Sequence, residues 1–266
     1  MRALSPLTEF ALLARVHDDA LDLERLAISI GRIGTPDLVT AEVSAALDRL
    51  AELVSHSVDL GAPPDLLARQ LASCIGATHG FRGDTARFDE PESSYLHEVL
   101  ERRTGLPILL AVVWILVGRR LGLPIFGVSY PGHFLACLDA PGARIYLDPF
   151  RGGDVRDIAE LTSHVDPRDR RVLEPVSVRP IVVRMLANLK HLWVEQRAYA
   201  SALGAVDRIL LIAGEVPLEV RDRGLLGLHL GAQHEAIRDL SRYIHLAPEA
   251  PDHAEVTRII AEHSET

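Results

Sequence analysis

Residues 105–124 read GLPILLAVVWILVGRRLGLP, and this stretch decides how the middle of the chain folds. Pro107 suits the first position of a helix, because its missing N–H has no partner there. The apolar run Leu106–Gly118 is too short to span a bilayer and therefore predicts a buried core helix. Gly122 is suited to end that helix, and Pro124 prevents its continuation.

Three strands are predicted after this helix: Ile125–Tyr130, His133–Leu138 and Arg144–Leu147. The link between the last two contains Pro and Gly and is typical of a hairpin turn. Folding the hairpin about this turn brings Asp148 within one or two pair positions of His133, and such neighbours lie within roughly 8 Å. An aspartate beside a histidine fixes the ring tautomer and stabilises its charged form, which is the usual support for a general base.

Helical periodicity dominates the chain before this core. From about residue 7 to residue 71, apolar residues recur every three to four positions between Gly/Pro turns, which predicts three or four helices. An irregular loop over Gly76–Ser94 follows, with Phe81 and Phe88 predicted to anchor it to the core. Ser94 is then the predicted N-cap of a short helix.

An internal repeat follows the core. Asn188–Pro217 aligns with Asp222–Pro251 at an offset of 34 residues. A helix–turn–helix period of this length that ends in proline is typical of tetratricopeptide (TPR) repeats, although an ordinary pair of helical hairpins is the alternative. A TPR-type tail predicts a protein or peptide as partner.

Composition narrows the function further. The chain has 266 residues, 48% of them hydrophobic, and a net charge of −9. The balance is that of a folded protein, and the acidic charge argues against nucleic acid or an anionic membrane as a general partner. A local basic patch is the exception left open. Its arginines would be Arg156, Arg168, Arg170 and Arg171.

Cysteine usage predicts the compartment. Cys74 and Cys137 are the two cysteines, too few for a disulfide framework or a cysteine metal site, so a reducing cytoplasm is expected. The N-terminus does not read as a signal peptide. We predict no cofactor, and the sequence makes no prediction of oligomeric state.

Three motifs in the middle of the chain together resemble the SirB1 family, which belongs to the transglutaminase-like, papain-like superfamily. The resemblance also extends to the N-terminal helices, the Gly80–Asp84 loop and the repeat tail. The three motifs are Ser93–Pro107, Pro131–Leu135 and Leu147–Phe150.

The resemblance implies an α+β fold in two parts. Residues 1–180 would form the transglutaminase-like domain, with a helical N-terminal part (1–75) and a papain-like core (76–180) that holds a small antiparallel sheet. Residues 181–266 would form α-helical TPR-type hairpins.

The resemblance also implies where catalysis should occur. Active members of the superfamily use cysteine, histidine and aspartate in that order, with the cysteine in a Gly-x-Cys turn at the start of the core helix. Matching Gly105 to that turn places Pro107 at the cysteine position, while His133 and Asp148 match the other two members. Proline offers no nucleophile, and Leu109 stands where many relatives carry a serine.

The cysteines present do not replace the missing one. Strand geometry would place Cys137 about 13 Å from His133, too far for a hydrogen-bonded pair. Cys74 is predicted on a helix outside the motifs. Both are interpreted as small core residues.

A non-catalytic scaffold for protein interaction or regulation is therefore the function we predict. The alternative is an amide hydrolase or acyl transferase that uses His133 and Asp148 as a general base without a cysteine.

The pair could also be purely structural or bind a ligand, and a metal held by Glu98 with His133 and Asp148 is the least expected option. Pro107, Glu98 and His97 are the other candidates for a remnant pocket, although Glu98 could instead bond backbone amides of a nearby loop. A role in regulated expression or secretion is implied by the family name alone.

Overall fold

The computed structural model describes residues 5–163, 165–166 and 169–264. The chain divides into two compact units. The core unit runs from His17 to Met185, and the tail unit combines the chain up to Val16 with the chain from Leu186 onward. The first helix thus groups with the tail unit, which local sequence patterns did not indicate. The division of the chain at residue 180 stays a prediction.

Helices dominate the described residues, and the first four lie where three or four were predicted. In chain order the helices are α1 (Pro6–Ala14), α2 (Leu23–Gly31), α3 (Thr40–Ser57), α4 (Pro64–Leu71), α5 (Leu96–Arg102), α6 (Pro107–Arg120), α7 (Ile158–Ser163), α8 (Val178–Glu195), α9 (Tyr199–Ala213), α10 (Pro217–His229), α11 (Gln233–Leu246) and α12 (His253–Ser264). The strands are β1 (Ile125–Val128), β2 (Leu135–Ala140), β3 (Ala143–Asp148), β4 (Asp154–Arg156) and β5 (Pro175–Val176).

Helix α6 is the centre of the core unit. Every residue from Ile108 to Gly118 is buried, and Trp114 is the largest fully buried side chain. Pro107 occupies the first turn as predicted, and Gly122 follows the helix with a φ of 68°. Complete burial explains the uniformly apolar sequence, because a helix without a solvent face has no polar side. No helix of the described residues is long and apolar enough to cross a membrane.

A small antiparallel sheet of the order β4-β3-β2-β1-β5 lies in the same unit. In the β2–β3 hairpin, Ala136 pairs with Leu147 and Ala140 pairs with Ala143. The two residues between Ala140 and Ala143 form the turn, and Gly142 supplies the positive φ that it needs. The hairpin and the α+β fold agree with the prediction.

The predicted start of the second strand is wrong by two residues. His133 lies in a turn before β2, where its amide donates to the carbonyl of Tyr130 at 2.9 Å. Pro131 and Gly132 occupy the centre of this turn, with Gly132 at a φ of 69°, a sequence typical of a type II turn. His133 is therefore positioned by turn geometry rather than by strand pairing.

In the Gly76–Ser94 loop one prediction is wrong, and the anchoring by Phe88 is met only in part, through a contact with Phe150. Tyr95, not Ser94, is the residue before α5, and the buried Ser94 hydroxyl makes no hydrogen bond to the described residues. Phe81 is buried as expected, but Phe88 remains 39% exposed. The residue that precedes α5 is set by local backbone geometry, whereas the exposure of Phe88 depends on long-range packing that the local sequence does not encode.

Close backbone contacts hold the turn after β3 against the rest of the core unit. The π-helix Ala72–Thr78 approaches this turn so closely that a Cβ on Gly76 would lie 1.8 Å from the carbonyl oxygen of Gly152. A Cβ on Gly83 would lie 2.0 Å from the ring of Phe150, and one on Gly153 would lie 2.5 Å from Trp114. Glycine is therefore required at Gly76, where the obstacle is backbone, whereas a side chain at Gly83 or Gly153 would require a neighbouring ring to shift. Gly153 also has a φ of 90°, which favours glycine.

The tail unit has the repeat that the sequence predicts. Helices α9 and α11 begin 34 residues apart, at Tyr199 and Gln233. Equivalent positions of the two repeats are buried alike. These pairs are Ala202 with Ala236, Val206 with Leu240, and Ile209 with Tyr243.

We expect Gly76→Ala to destabilise the core unit by about 1–3 kcal/mol, because the new methyl group would overlap backbone atoms of Gly152. Urea unfolding checks this. Gly61→Ala is the matched control, since the nearest atom to its Cβ would be a side-chain oxygen of Asp59 at 3.4 Å. Equal stability of the two variants would contradict the packing described.

Candidate functional site

His133 and Asp148 form a hydrogen-bonded pair. The Nε2 atom of His133 lies 2.8 Å from Oδ1 of Asp148. The His133 side chain is 25% exposed, whereas the Asp148 side chain is 3% exposed. The β2–β3 register pairs Ala136 with Leu147 and so brings the end of β3, at Asp148, beside the start of β2, two residues after His133, which agrees with the sequence-derived estimate.

Asp148 also shapes the backbone that follows it. Its Oδ1 accepts hydrogen bonds from the amides of Phe150 (3.1 Å) and Arg151 (3.3 Å), so it caps the short 3-10 turn Pro149–Arg151. Sequence analysis did not identify this second role, although an aspartate directly before proline is a common turn signal. One buried carboxylate thus binds the imidazole and two backbone amides.

The net effect of these contacts is a lowered pKa for Asp148. Burial, the largest single effect, raises the pKa, but the hydrogen bond and charge of His133 act against it and, with Arg151, outweigh it. The amide and guanidinium of Arg151 lower the pKa further. Asp148 is therefore an anion at neutral pH, which is the state that orients and stabilises a charged imidazole.

The bond through Nε2 leaves Nδ1 of His133 as the ring nitrogen for any other partner. Phe150 lies against the imidazole, with ring centroids 6.0 Å apart and planes at 86°. The same phenyl ring contacts Phe88 at 5.5 Å. Phe150 received no role from the sequence, because its contacts depend on the tertiary fold.

A cleft of about 580 Å³ is lined in part by the turn after β3. Its walls consist mainly of small residues of the π-helix and of the glycine turns, and Phe150 contributes an aromatic ring. Arg82, Arg151 and Asp154 are its charged residues. Phe150 thus links this open cleft to His133.

No side chain at the start of α6 can act as a nucleophile. Pro107 is half-buried at the first turn, and Leu109 is fully buried. Burial raises the pKa of the Cys137 thiol to about 12, and it raises the pKa of Cys74 more than a bond from Ser57 lowers it. Both thiols are buried and protonated at neutral pH, so neither replaces the superfamily cysteine.

His97 and Glu98 make their contacts elsewhere in the core unit. Nε2 of His97 bonds Oγ1 of Thr35 at 3.1 Å, and its ring stacks on Tyr95. Burial lowers the pKa of His97, although Glu98 and Glu101 oppose this effect. Oε2 of Glu98 pairs with Nε of Arg102 at 2.8 Å. The described contacts of Glu98 thus include a guanidinium rather than the loop amides that were considered from the sequence.

A metal centre and a basic patch were the other options left open. Among the described residues, no three His, Cys, Asp or Glu side chains are grouped so that they could hold a metal ion. Arg156 pairs with Glu160 at 2.6 Å. Arg168 and the side chain of Arg170 lie outside the described residues.

A buried helix that begins at the nucleophile position, followed by a hairpin with a His–Asp pair, defines a protein of the transglutaminase-like class. The family model of the transglutaminase-like superfamily matches residues 41–187, and a tetratricopeptide repeat model matches residues 189–261. The chain belongs to the SirB1 (UPF0162) family of this superfamily.

Similar bacterial proteins cover most of the chain. A UPF0162 protein of Xylella fastidiosa (strain 9a5c) is 36% identical over 89% of this chain and 88% of its own length. The UPF0162 protein YchA of Escherichia coli (strain K12) is 26% identical over 81% of this chain and 82% of its own. Protein SirB1 of Salmonella typhimurium (strain LT2) is 25% identical over the same shares. No solved structure matches the chain.

The lowered pKa of Asp148 predicts a defined dependence of stability on pH. Because the folded-state pKa lies below the ordinary value of about 3.9, the charge stabilises the fold above that pH. This contribution is lost as the pH falls through the lower, folded-state pKa. Asp148→Asn should therefore lower the free energy of unfolding at pH 7. In this variant the free energy of unfolding should also fall less steeply as the pH is lowered.

Urea unfolding between about pH 2 and pH 7 measures this effect. Asp154→Asn, an exposed neighbour on β4, is the control and should leave the acid slope unchanged. An equal change in both variants would contradict the assignment to Asp148.

Proposed function

We propose that this protein is a non-catalytic scaffold for protein interaction or regulation. Its core unit keeps a transglutaminase-like fold without the nucleophile, and its TPR tail binds a protein or peptide. We place this role in the bacterial cytoplasm, because two free, buried cysteines suit a reducing compartment.

Pro107 is the observation that carries the proposal. It is well suited to the first turn of α6 and removes the thiolate on which superfamily chemistry depends. The pair His133–Asp148 does not by itself argue for catalysis, since Asp148 also caps the turn after β3. A structural role is therefore sufficient to explain both residues.

The tail unit supports an interaction role, since TPR repeats generally mediate protein–protein contacts. An apolar cleft of about 440 Å³ lies between the two repeats of this unit. Pro217 and Pro251, equivalent positions of the repeats, both line it. Leu218 lies beside them with 54% of its surface exposed. An exposed apolar side chain in such a cleft is suited to contact a partner.

Leu218→Asp should reduce recovery of the native partner from cell extract at least about fivefold, since it puts a charge in the apolar cleft. Leu230→Asp is the matched control, because Leu230 is a similarly exposed leucine (43%) of the same helical hairpin but lies outside the cleft lining. His133→Ala should leave recovery unchanged if the protein stays folded. Quantitative affinity purification compares the three variants. Full recovery with Leu218→Asp would exclude this cleft as the partner site.

General-base catalysis is the second candidate function. It is favoured by the ionised, buried Asp148 bonded to a partly exposed His133. Such a pair could activate water or a substrate group in an amide hydrolase or acyl transferase. General-base catalysis contributes only about 10²–10⁴-fold, so the reaction would need further stabilising groups.

Pro107→Cys tests whether residue 107 occupies the nucleophile position of the fold. If the missing cysteine is the defect and position 107 faces His133 as the superfamily arrangement implies, the new thiol should have a pKa below the ordinary value of about 8.5, because a helix N-terminus and an imidazole both favour the thiolate. The rate of iodoacetamide labelling against pH measures this pKa, and the buried native thiols should label slowly. In the double variant Pro107→Cys/His133→Ala, the pKa of the introduced thiol should be higher than in Pro107→Cys alone.

An ordinary pKa that His133→Ala does not change would show that Pro107 is not the nucleophile position. Turnover of amide substrates by the native protein that is lost in a folded His133→Ala variant would favour the catalytic candidate over the scaffold.

A further inference from the structure

A second cleft of the core unit lies between α3, α5 and the end of the π-helix. Its volume is about 190 Å³, and none of its lining residues belongs to the His133–Asp148 pair. Apolar side chains form one part of its wall and basic side chains form the other. The apolar residues include Leu50, Leu53, Phe81 and Leu100, and the basic residues are Arg49, His79 and Arg103.

The basic side chains of this cleft have no partner among the described residues. Neither guanidinium, of Arg49 or of Arg103, makes a hydrogen bond or ion pair there, and the His79 ring makes none either. Some arginines of the core unit are paired, as Arg102 is with Glu98 and Arg120 is with Glu24, whereas exposed ones such as Arg69 and Arg119 have no described partner. What distinguishes Arg49 and Arg103 is that they line one cleft. In a chain of net charge −9, the two unpaired guanidinium groups that line this one cleft form a local positive site.

The backbone of Arg103 provides a second, independent indication. Arg103 directly follows α5 with a φ of 61°, the left-handed region in which glycine is the usual residue. A side chain costs stability in this conformation, because its Cβ approaches the neighbouring carbonyl. Hydrogen bonds on both sides hold this backbone, from its amide to Val99 and from Arg82 to its carbonyl. The loss of stability from the positive φ of Arg103 is not offset by a hydrogen bond or ion pair of its guanidinium with any described residue.

Size and chemistry together define what the cleft can hold. Sites for drug-sized ligands have volumes of about 300–1,000 Å³, so a cleft of this size accepts only a small group. Guanidinium groups recognise carboxylates through paired hydrogen bonds. The apolar wall adds a preference for an aliphatic side chain next to that carboxylate. An inorganic phosphate would contact the basic groups and leave the wall unused.

We infer that this cleft binds the C-terminal carboxylate of a peptide or protein whose last residue is aliphatic. Arg49 and Arg103 hold the carboxylate, and Leu53 and Leu100 contact the aliphatic side chain. This site would recognise a chain terminus separately from any segment bound by the tail unit, and it does not depend on the proposed scaffold function.

N-acetyl-L-leucine, a minimal C-terminus, is the probe for this site. Titration into the full-length, isotope-labelled protein should shift the methyl signals of Leu53 and Leu100 with a Kd on the order of 1 mM, as expected for so small a ligand. N-acetyl-L-leucinamide, which lacks the charge, should bind at least about tenfold more weakly. Inorganic phosphate should bind more weakly than N-acetyl-L-leucine.

Arg103→Gly is the decisive variant. It removes the guanidinium and the unfavourable Cβ together, so binding should weaken at least about tenfold while the thermal midpoint rises. Arg197→Gly is the matched control, because Arg197 also has a positive φ, of 57°, but lies outside the cleft. Its binding should equal that of the native protein. Arg49→Gln, at an exposed site of α3, should weaken binding without a change in the midpoint.

Several outcomes would overturn the inference. Equal binding of acid and amide would exclude carboxylate recognition. Tighter binding of phosphate would show a phosphate site instead. Native-like affinity in Arg103→Gly or Arg49→Gln, or no saturable shift in the native protein, would show that the basic groups do not form a site.

Discussion

Helix α6 has no face toward solvent between Ile108 and Gly118, so the core unit must supply packing on every side of it. The sheet covers one side, with Ile125 against Gly118, and the turn after β3 covers another, with Gly153 against Trp114. Close contacts of this kind leave little space for adjustment, since protein interiors are packed as densely as organic crystals. The positions of the hairpin and of its turn therefore follow from the burial of one helix.

The turn after β3 connects this packing to the candidate site. Gly152 meets Gly76 of the π-helix, Phe150 meets Gly83, and Asp148 caps the turn while it binds His133. The pair that resembles a catalytic remnant is thus part of the framework around α6. Stability alone requires a partner for Asp148, because an unpaired buried carboxylate is costly.

The two clefts of the core unit differ in what surrounds them. The cleft beside Phe150 has walls of small residues and backbone and lies next to the His133–Asp148 pair. The cleft between α3 and α5 combines unpaired guanidinium groups with an apolar wall. The two clefts can therefore serve different roles, since function depends on local sites rather than on the fold.

The sequence by itself determined the elements that depend on local geometry. Pro107 and Gly122 set the ends of α6. The Pro141-Gly142 turn set the β2–β3 hairpin and thus the approach of Asp148 to His133. The period of 34 residues set the helices of the tail unit. Only the tertiary structure decided which side chains meet across long separations. It brought His97 into a hydrogen bond with Thr35 and left Phe88 partly exposed. It also placed Arg49 and Arg103, which have no described partner, in the lining of one cleft. Turn and helix signals act between neighbours in the chain, whereas burial and pairing depend on residues that folding alone brings together.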